Sequence, residues 1–196
     1  MDRKGRIIKR LLDLVGSTIG LVLLAPFLLI LILAARIDTR ASGIFTQTRI
    51  GRNAKPFTLY KLRTMRKGEG GFVTAKNDPR ITGFGSLLRR AKLDELPQLW
   101  NVMLGQMSLV GPRPDMPGYL DRLTGAEQRL WQLRPGITGP ASLHFRDEEL
   151  LLAQTDNPQA MNDTVIWPQK VRINLDYLDH WSFGRDLGIL KRTLFP

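Results

Sequence analysis

The chain has 196 residues and no cysteine, enough for one domain with a real core plus an appendage, and it excludes disulfide scaffolds, thiolate zinc sites and thiol nucleophiles together. With only His144 and His180 present, a multi-histidine metal site is disfavoured as well, so any metal is expected on oxygen ligands. Lys and Arg outnumber Asp and Glu 29 to 18, and the net charge of +11 points to polyanionic partners: nucleic acid, anionic lipid headgroups or phosphorylated small molecules.

From Leu14 to Ala35 the chain runs 22 residues without a charge. As a helix it would reach about 33 Å, enough to cross a hydrocarbon core. A basic start (Arg3, Lys4, Arg6, Lys9, Arg10) is also what a secretory signal carries, but the apolar run exceeds the usual length of about 7 to 15 residues and no clean cleavage site follows. Pro26 sits near the middle of the run and is expected to kink or break it. Five further basic residues (Arg36, Arg40, Arg49, Arg52, Lys55) follow, so the charge asymmetry that orients a spanning helix is missing. Two arrangements are open on these facts: a helix-break-helix that dips into one leaflet and returns, or a Pro-kinked span.

Next, Ile44 to Arg49 and Pro56 to Tyr60 read as short β-prone runs around the turn Gly51-Arg52-Asn53-Ala54. Arg66 to Asp78, with Gly68, Gly70 and Gly71, has the composition of a surface loop. Helical spacing of apolar residues predicts a helix over Phe84 to Leu93 and a second over Leu96 to Leu104, with Pro97 in its first turn. Gly111-Pro112-Arg113-Pro114 is a rigid loop because two prolines flank the arginine. Further helices are expected from about Pro117 to Leu133 and from Gln169 to Leu178, with Asp147 to Trp167 unassigned between them. Trp181 to Phe195 mixes aromatic, aliphatic and basic residues in a way that suits an amphipathic helix in the headgroup plane; a surface helix packed on the core is the alternative.

The densest polar constellation is Arg89-Arg90-Ala91-Lys92-Leu93-Asp94-Glu95, two adjacent carboxylates preceded by cations where one helix ends and another begins. Adjacent acids before a helix commonly serve only as capping charge. Lys61, Arg63, Arg89, Arg113, Arg134 and Arg146, however, lie in or beside Gly- and Pro-rich segments that can hold cations toward phosphate oxygens. A carboxylate among such cations is expected to keep a low pKa and to suit a nucleophile or a Mg²⁺ ligand. Neither the Gly-x-x-x-x-Gly-Lys-Ser/Thr phosphate loop nor a Gly-x-Gly-x-x-Gly dinucleotide loop is present.

Five motifs in fixed order carry a resemblance: Pro56-Phe57-Thr58-Leu59-Tyr60-Lys61-Leu62-Arg63-Thr64-Met65, Asp78-Pro79-Arg80-Ile81-Thr82, Leu93-Asp94-Glu95-Leu96-Pro97-Gln98-Leu99, Gly111-Pro112-Arg113-Pro114 and Arg134-Pro135-Gly136-Ile137-Thr138-Gly139. Over nearly its whole length the chain resembles the bacterial sugar transferases known as monotopic phosphoglycosyl transferases, in their minimal catalytic form. The resemblance implies transfer of a sugar-1-phosphate from a UDP-sugar to a polyprenol phosphate, normally undecaprenyl phosphate, with release of UMP, as the first membrane step of a polysaccharide or exopolysaccharide. It implies that Asp94 is the nucleophile of a ping-pong reaction through a covalent phosphosugar. Glu95 is implied as its partner, assisting Mg²⁺ or the acceptor's proton. Arg89 and Arg113 would brace phosphate charge, Arg146 would serve the nucleotide-sugar and Asp186 would support the site. For Lys61 and Arg63 a substrate role and mere contact with lipid headgroups both stand.

The implied fold is α/β and mostly helical. Residues 1–40 form the basic N-terminus and a re-entrant membrane helix broken at Ala25-Pro26. Residues 41–196 form a small interfacial catalytic domain with short strands and amphipathic helices, on the cytoplasmic face of the bacterial inner membrane. The family's common Ser-Pro at the break is Ala25-Pro26 here. Pro140-Ala141-Ser142-Leu143-His144-Phe145-Arg146 also departs from the frequent Trp-Ala-Gln-Val-Asn-Gly-Arg, and Asn174 stands where Asp is frequent, which leaves the sugar undetermined. Expected partners are the UDP-sugar, undecaprenyl phosphate and an anionic bilayer. A homodimer is left open, and no nucleic acid is expected because no recognised binding motif occurs. The rival reading is a membrane-anchored basic binding module without catalysis.

Overall fold

The computed structural model describes residues 1, 3–68 and 78–195; most of the loop expected over Arg66 to Asp78 lies outside the described residues. Arg3–Thr39 form a single helix, α1, with Pro26 inside it. At Ala25-Pro26, where a break is expected, the helical hydrogen-bonding continues through the proline. Proline removes one N–H from the ladder, and the uncharged residues around it offer no polar side chain to compete for the remaining backbone bonds. Along α1, Gly5, Lys9, Asp13 and Ser17 are buried at four-residue spacing and so are Leu31, Ala35 and Thr39, whereas nothing is buried across residues 18–30. The helix therefore docks by both ends and stands clear at its middle. Val22 and Leu23 there are 69% and 72% exposed, an apolar surface suited to lipid rather than water.

The first end is tied by polar contacts. Lys9 Nζ donates to Asp186 Oδ2 at 2.6 Å, Arg10 donates to the carbonyls of Val102 and Met103, and Asp13 Oδ1 accepts from Ser108 Oγ and the Leu109 N–H. The second end is apolar, Leu31 packing with Leu62 and Leu88.

Ile44–Ile50 (β1) and Pro56–Leu62 (β2) pair antiparallel with Ile50 opposite Pro56 and Ile44 opposite Leu62, as the flanking turn signal required. Asn53 and Ala54 take positive φ in that turn, which Asn tolerates better than most residues. Gly83–Arg90 form α2, capped by Thr82 Oγ1 accepting from the Gly85 N–H at 2.8 Å, and Gln98–Met103 form α3. A parallel pair that sequence patterning missed, Ser108–Val110 (β3) with Gly136–Thr138 (β4), is too short to show alternation.

The helix expected over Pro117 to Leu133 is replaced by two 3-10 stretches, Leu120–Arg122 and Gly125–Gln132. Gly118 and Gly125 take positive φ and interrupt an α-helix, while Leu120, Leu123, Leu130 and Leu133 still reach the core. The unassigned stretch holds Pro140–His144 (α4), Glu148–Ala153 (α5), Pro158–Met161 (α6) and a π-helical turn, Asn162–Ile166, that runs into Trp167–Asp179 (α7). Ser182 caps Phe183–Leu194 (α8), whose Ile189 faces the core while Phe183, Leu187 and Leu194 are exposed. The main core joins Ile50, Val110 and the 3-10 leucines to Val171, Tyr177, Leu178 and Ile189.

Candidate active site

Three chain segments converge on Glu95. The first is the turn between α2 and α3. Lys92 adopts φ 56°, ending the run from α2, and Leu93–Glu95 make one 3-10 turn. Leu93 and Leu96 pack toward Leu31, Leu62 and Leu88, so the two acids between them are fixed by the core beneath. Asp94 is itself buried, 9% exposed, and has no hydrogen-bond or ion-pair partner among the described residues.

The second segment is β2. Leu59 and Leu62 point into the interior, and Asn101 of α3, fully buried, accepts from the Tyr60 N–H at 3.1 Å and donates to the Thr58 carbonyl at 2.7 Å. This clamp fixes the strand so that Lys61 Nζ reaches Glu95 Oε1 at 3.0 Å. The third is the loop after β3. The Gly111 N–H donates to Thr138 O at 2.8 Å and the Gly136 N–H to Pro112 O at 2.7 Å, tying one motif to the other. Gly111 and Gly136 meet backbone to backbone where a Cβ on either would collide, so glycine is required at this contact. Arg49 donates to Pro114 O at 3.3 Å from the other side, and Arg113 Nη2 is held 3.6 Å from Glu95 Oε1 with its side chain 51% exposed.

The two acids titrate in opposite directions. Burial pushes the Asp94 carboxyl up and the Glu95 charge adds to that, while Lys61, Arg89 and Lys92 pull it down without cancelling the rise. The low pKa expected of a carboxylate among these cations is therefore not found at Asp94. Burial is also the largest influence on Glu95, but Lys61 and Arg113 together outweigh it and hold Glu95 below the usual glutamate range. Burial holds Lys61 below the usual lysine range despite Glu95. The pair therefore offers one basic, unpartnered carboxylate beside one spent on cations.

The other expected residues are distributed differently. Arg89 Nε donates to Thr64 Oγ1 at 2.9 Å and Nη2 to Met65 Sδ, so it acts on Asp94 through space from a braced position. Arg63 lies away from the acids, donating to Ser42 O at 2.7 Å and stacking over Phe45. Arg146 is exposed and donates to Arg192 O at 3.1 Å. Asp186 is fully buried and accepts from Lys9, Tyr177 Oη at 2.5 Å and Trp181 Nε1 at 3.1 Å, a staple of α1 onto α7 and α8. Ala25 and Pro26 sit in the unburied middle of α1.

Sequence reasoning missed Arg49, which counted only as a flanking cation, and Asp115, directly after the Pro-Arg-Pro run. Burial pushes Asp115 up to about 7 against the pull of Lys170, Arg49 and Arg113, with Glu148 adding to the rise. A groove of about 380 Å³ between α4, α7 and α8 is lined by Leu143, His144, Ile173, Arg185, Ile189 and Arg192, and shares no residue with the acidic pair. No group of three or more His, Asp or Glu placed to hold a metal ion occurs among the described residues. Asp94, and Glu95 through Oε2, the oxygen outside both of its ion pairs, are donors of the kind that would hold a Mg²⁺ ion.

The family model described as bacterial sugar transferase matches residues 4–196. The chain is 39% identical over 194 residues to the UDP-glucose:undecaprenyl-phosphate glucose-1-phosphate transferase of Caulobacter vibrioides, covering 95% of this chain and 68% of that protein. It is 37% identical over 191 residues to the uncharacterized sugar transferase EpsL of Bacillus subtilis, covering 96% of this chain and 86% of the relative. The exopolysaccharide production protein PSS of Rhizobium leguminosarum is 36% identical over 198 residues, at 96% and 94% coverage.

Proposed function

Since the chain belongs to the bacterial sugar transferase family, we propose that it moves a sugar-1-phosphate from a UDP-sugar to undecaprenyl phosphate through a covalent intermediate on Asp94. The observation that carries the reading is the buried, unpartnered Asp94 carboxylate beside a Glu95 held by Lys61 and Arg113. Burial makes Asp94 more basic and so a better nucleophile, while the cations of Lys61, Arg89 and Lys92 keep its ionised form accessible.

An Asp94 carboxylate oxygen attacks the β-phosphorus of the UDP-sugar. The bond from that phosphorus to the bridging oxygen breaks, and UMP leaves with the electron pair. An oxygen of the polyprenol phosphate then attacks the same phosphorus, the acyl-phosphate bond breaks, and Asp94 is regenerated as the carboxylate. Arg113, half in solvent, is free to turn from Glu95 toward phosphate oxygens, and Lys61 neutralises charge from the β2 side. Asp94 and Glu95 are the residues that would hold Mg²⁺. When bound, it would neutralise the diphosphate.

The membrane topology is also a proposal. Gly5 and Thr39 are both buried against one domain, yet a straight helix between them would run about 51 Å. A domain of 156 residues is only about 40 Å across. A bend at Pro26 that returns both basic ends to the cytoplasmic face accounts for both facts, and it leaves the acids at headgroup depth, where a soluble donor meets a lipid acceptor. The Lys9–Asp186 bond argues against removal of α1 as a signal segment. Cysteines placed singly at Arg3 and Ser42 of this cysteine-free chain are expected to label from the same side; labelling from opposite faces overturns the topology.

The function is tested by incubating the purified chain with a panel of UDP-sugars, Mg²⁺ and undecaprenyl phosphate and measuring UMP. At least one donor is expected to release UMP and to leave radiolabel on the protein before acceptor is added. No UMP from any donor would favour the basic binding module instead.

A further inference from the structure

At the end of α3 opposite the acidic pair, a narrow cleft is lined by Arg6, Lys9, Asp13, Arg52 and Arg134 among others, four cations to one carboxylate. Most clusters of this kind are neutralised by nearby acids. Here Lys9 is paired, but with Asp186. Asp13 is occupied by Ser108 and Leu109, and among the described residues no carboxylate forms an ion pair with Arg6, Arg52 or Arg134.

Part of this charge has a structural use. Arg10 donates to the carbonyls of Val102 and Met103, and Arg134 Nε donates to Gly105 O at 2.8 Å, so both complete the carbonyls at the C-terminal end of α3. Arg52 has no such use. Its Nε is buried with no hydrogen-bond partner, a state that is costly for a charged group. Burial, then repulsion from Arg52 and Arg10, holds Arg134 below the usual arginine range against the pull of Asp13, and Arg52 and Arg134 both line the cleft. An arrangement that leaves a buried N–H unsatisfied and gathers like charges along one cleft is relieved by an anion among them.

We propose that this cleft binds a phosphate oxyanion at a site separate from the acidic pair, with Arg6, Arg52 and Arg134 as its donors. Asp13 lines the cleft and immediately precedes the uncharged run that begins at Leu14, so the site lies where α1 meets the headgroup layer. A lipid phosphodiester and a free phosphate present the same chemistry there, and the test separates them.

The full chain is melted in detergent micelles with inorganic phosphate or with chloride at equal ionic strength, and is floated with phosphatidylcholine vesicles with and without phosphatidylglycerol. Phosphate, phosphatidylglycerol or both are expected to bind. The double variant Arg6→Gln, Arg52→Gln is expected to lose the phosphate-dependent rise in melting midpoint, or to weaken vesicle binding about fivefold per arginine. The double variant Arg3→Gln, Lys4→Gln removes two charges as well, but from residues outside the cleft lining, and is expected to retain most of the response. A response to phosphate in micelles identifies a free phosphate as sufficient; a response to phosphatidylglycerol alone identifies the lipid. No response to either, or equal losses in both double variants, overturns the proposal. Arg52→Gln alone is expected to raise the midpoint in phosphate-free buffer, because it removes the unsatisfied donor, and to abolish the further rise with phosphate. Arg6→Gln, at an exposed position, tests the loss of the phosphate-dependent rise alone should Arg52→Gln fail to fold. None of these readouts depends on turnover, so their failure leaves the transferase reading standing.

Discussion

Lys61→Met removes the ammonium 3.0 Å from Glu95 Oε1 while keeping most of the apolar stem. The Glu95 side chain, 13% exposed, then retains only Arg113 at 3.6 Å, and that guanidinium is half in solvent. Removing one member of a buried pair costs about 3–5 kcal/mol; with Arg113 keeping part of the interaction, a loss of about 2–4 kcal/mol is expected at neutral pH. For a chain of this length that corresponds to a fall of roughly 4–16 °C in melting midpoint. The pH dependence identifies the cause. In the wild type the Glu95 pKa is depressed, so its contribution is fully present above the ordinary value of 4.5 and is lost as pH falls through the folded-state value. In the variant burial dominates and the pKa rises above 4.5, so the penalty appears as pH climbs through that range. The deficit between variant and wild type is therefore expected to be large at neutral pH and to shrink below 4.5. A melting series in detergent that gave the same deficit at both ends of the pH range would attribute the loss to packing and refute the electrostatic account.

Asp94→Asn is expected to abolish UMP release and protein labelling, by about a thousandfold or more, yet to raise the melting midpoint at neutral pH. The folded-state pKa of Asp94 is raised, so its charge destabilises the fold above 3.8, and the gain from asparagine should fade as pH falls toward that value; a midpoint lowered by the substitution would contradict this. Asp115, raised from 3.8 to about 7, likewise costs stability as pH rises across that interval, on the order of 4 kcal/mol if the whole shift is realised. Melting of Asp115→Asn should therefore be flatter than wild type from pH 4 to 7, and parallel curves would count against it. Asp186→Ala orphans Lys9, Tyr177 and Trp181 and should cost about 3–5 kcal/mol, with faster amide exchange in the first turns of α1 than Asp186→Asn; equal exchange in the two variants would remove Asp186 as the staple.

Several elements were legible locally because their signals are local. The hairpin follows from two β-prone runs around Gly51-Arg52-Asn53-Ala54, and α2 and α3 follow from helical spacing, with Pro97 marking the start of the second. Over Pro117 to Leu133 the same reasoning failed, because leucines at helical spacing also suit 3-10 turns when Gly118 and Gly125 take positive φ. The three-residue strands β3 and β4 carry too little pattern to read, although the motifs containing or adjoining them, Gly111-Pro112-Arg113-Pro114 and Arg134-Pro135-Gly136, stood out by composition.

What the chain determines by itself is chemistry in order along a line: an uncharged run flanked by cations, an Asp-Glu pair, and arginines and a lysine in rigid segments. Tertiary structure alone decided which of those charges meet. Lys61 and Arg113, 34 and 18 residues from Glu95, reach the same oxygen, while Arg63, two residues from Lys61, turns away to Ser42 and Asp186 is drawn to Lys9 across 177 residues. Tertiary structure also split the titration of two adjacent acids, since charge and burial act over ångströms in space and not over positions in sequence.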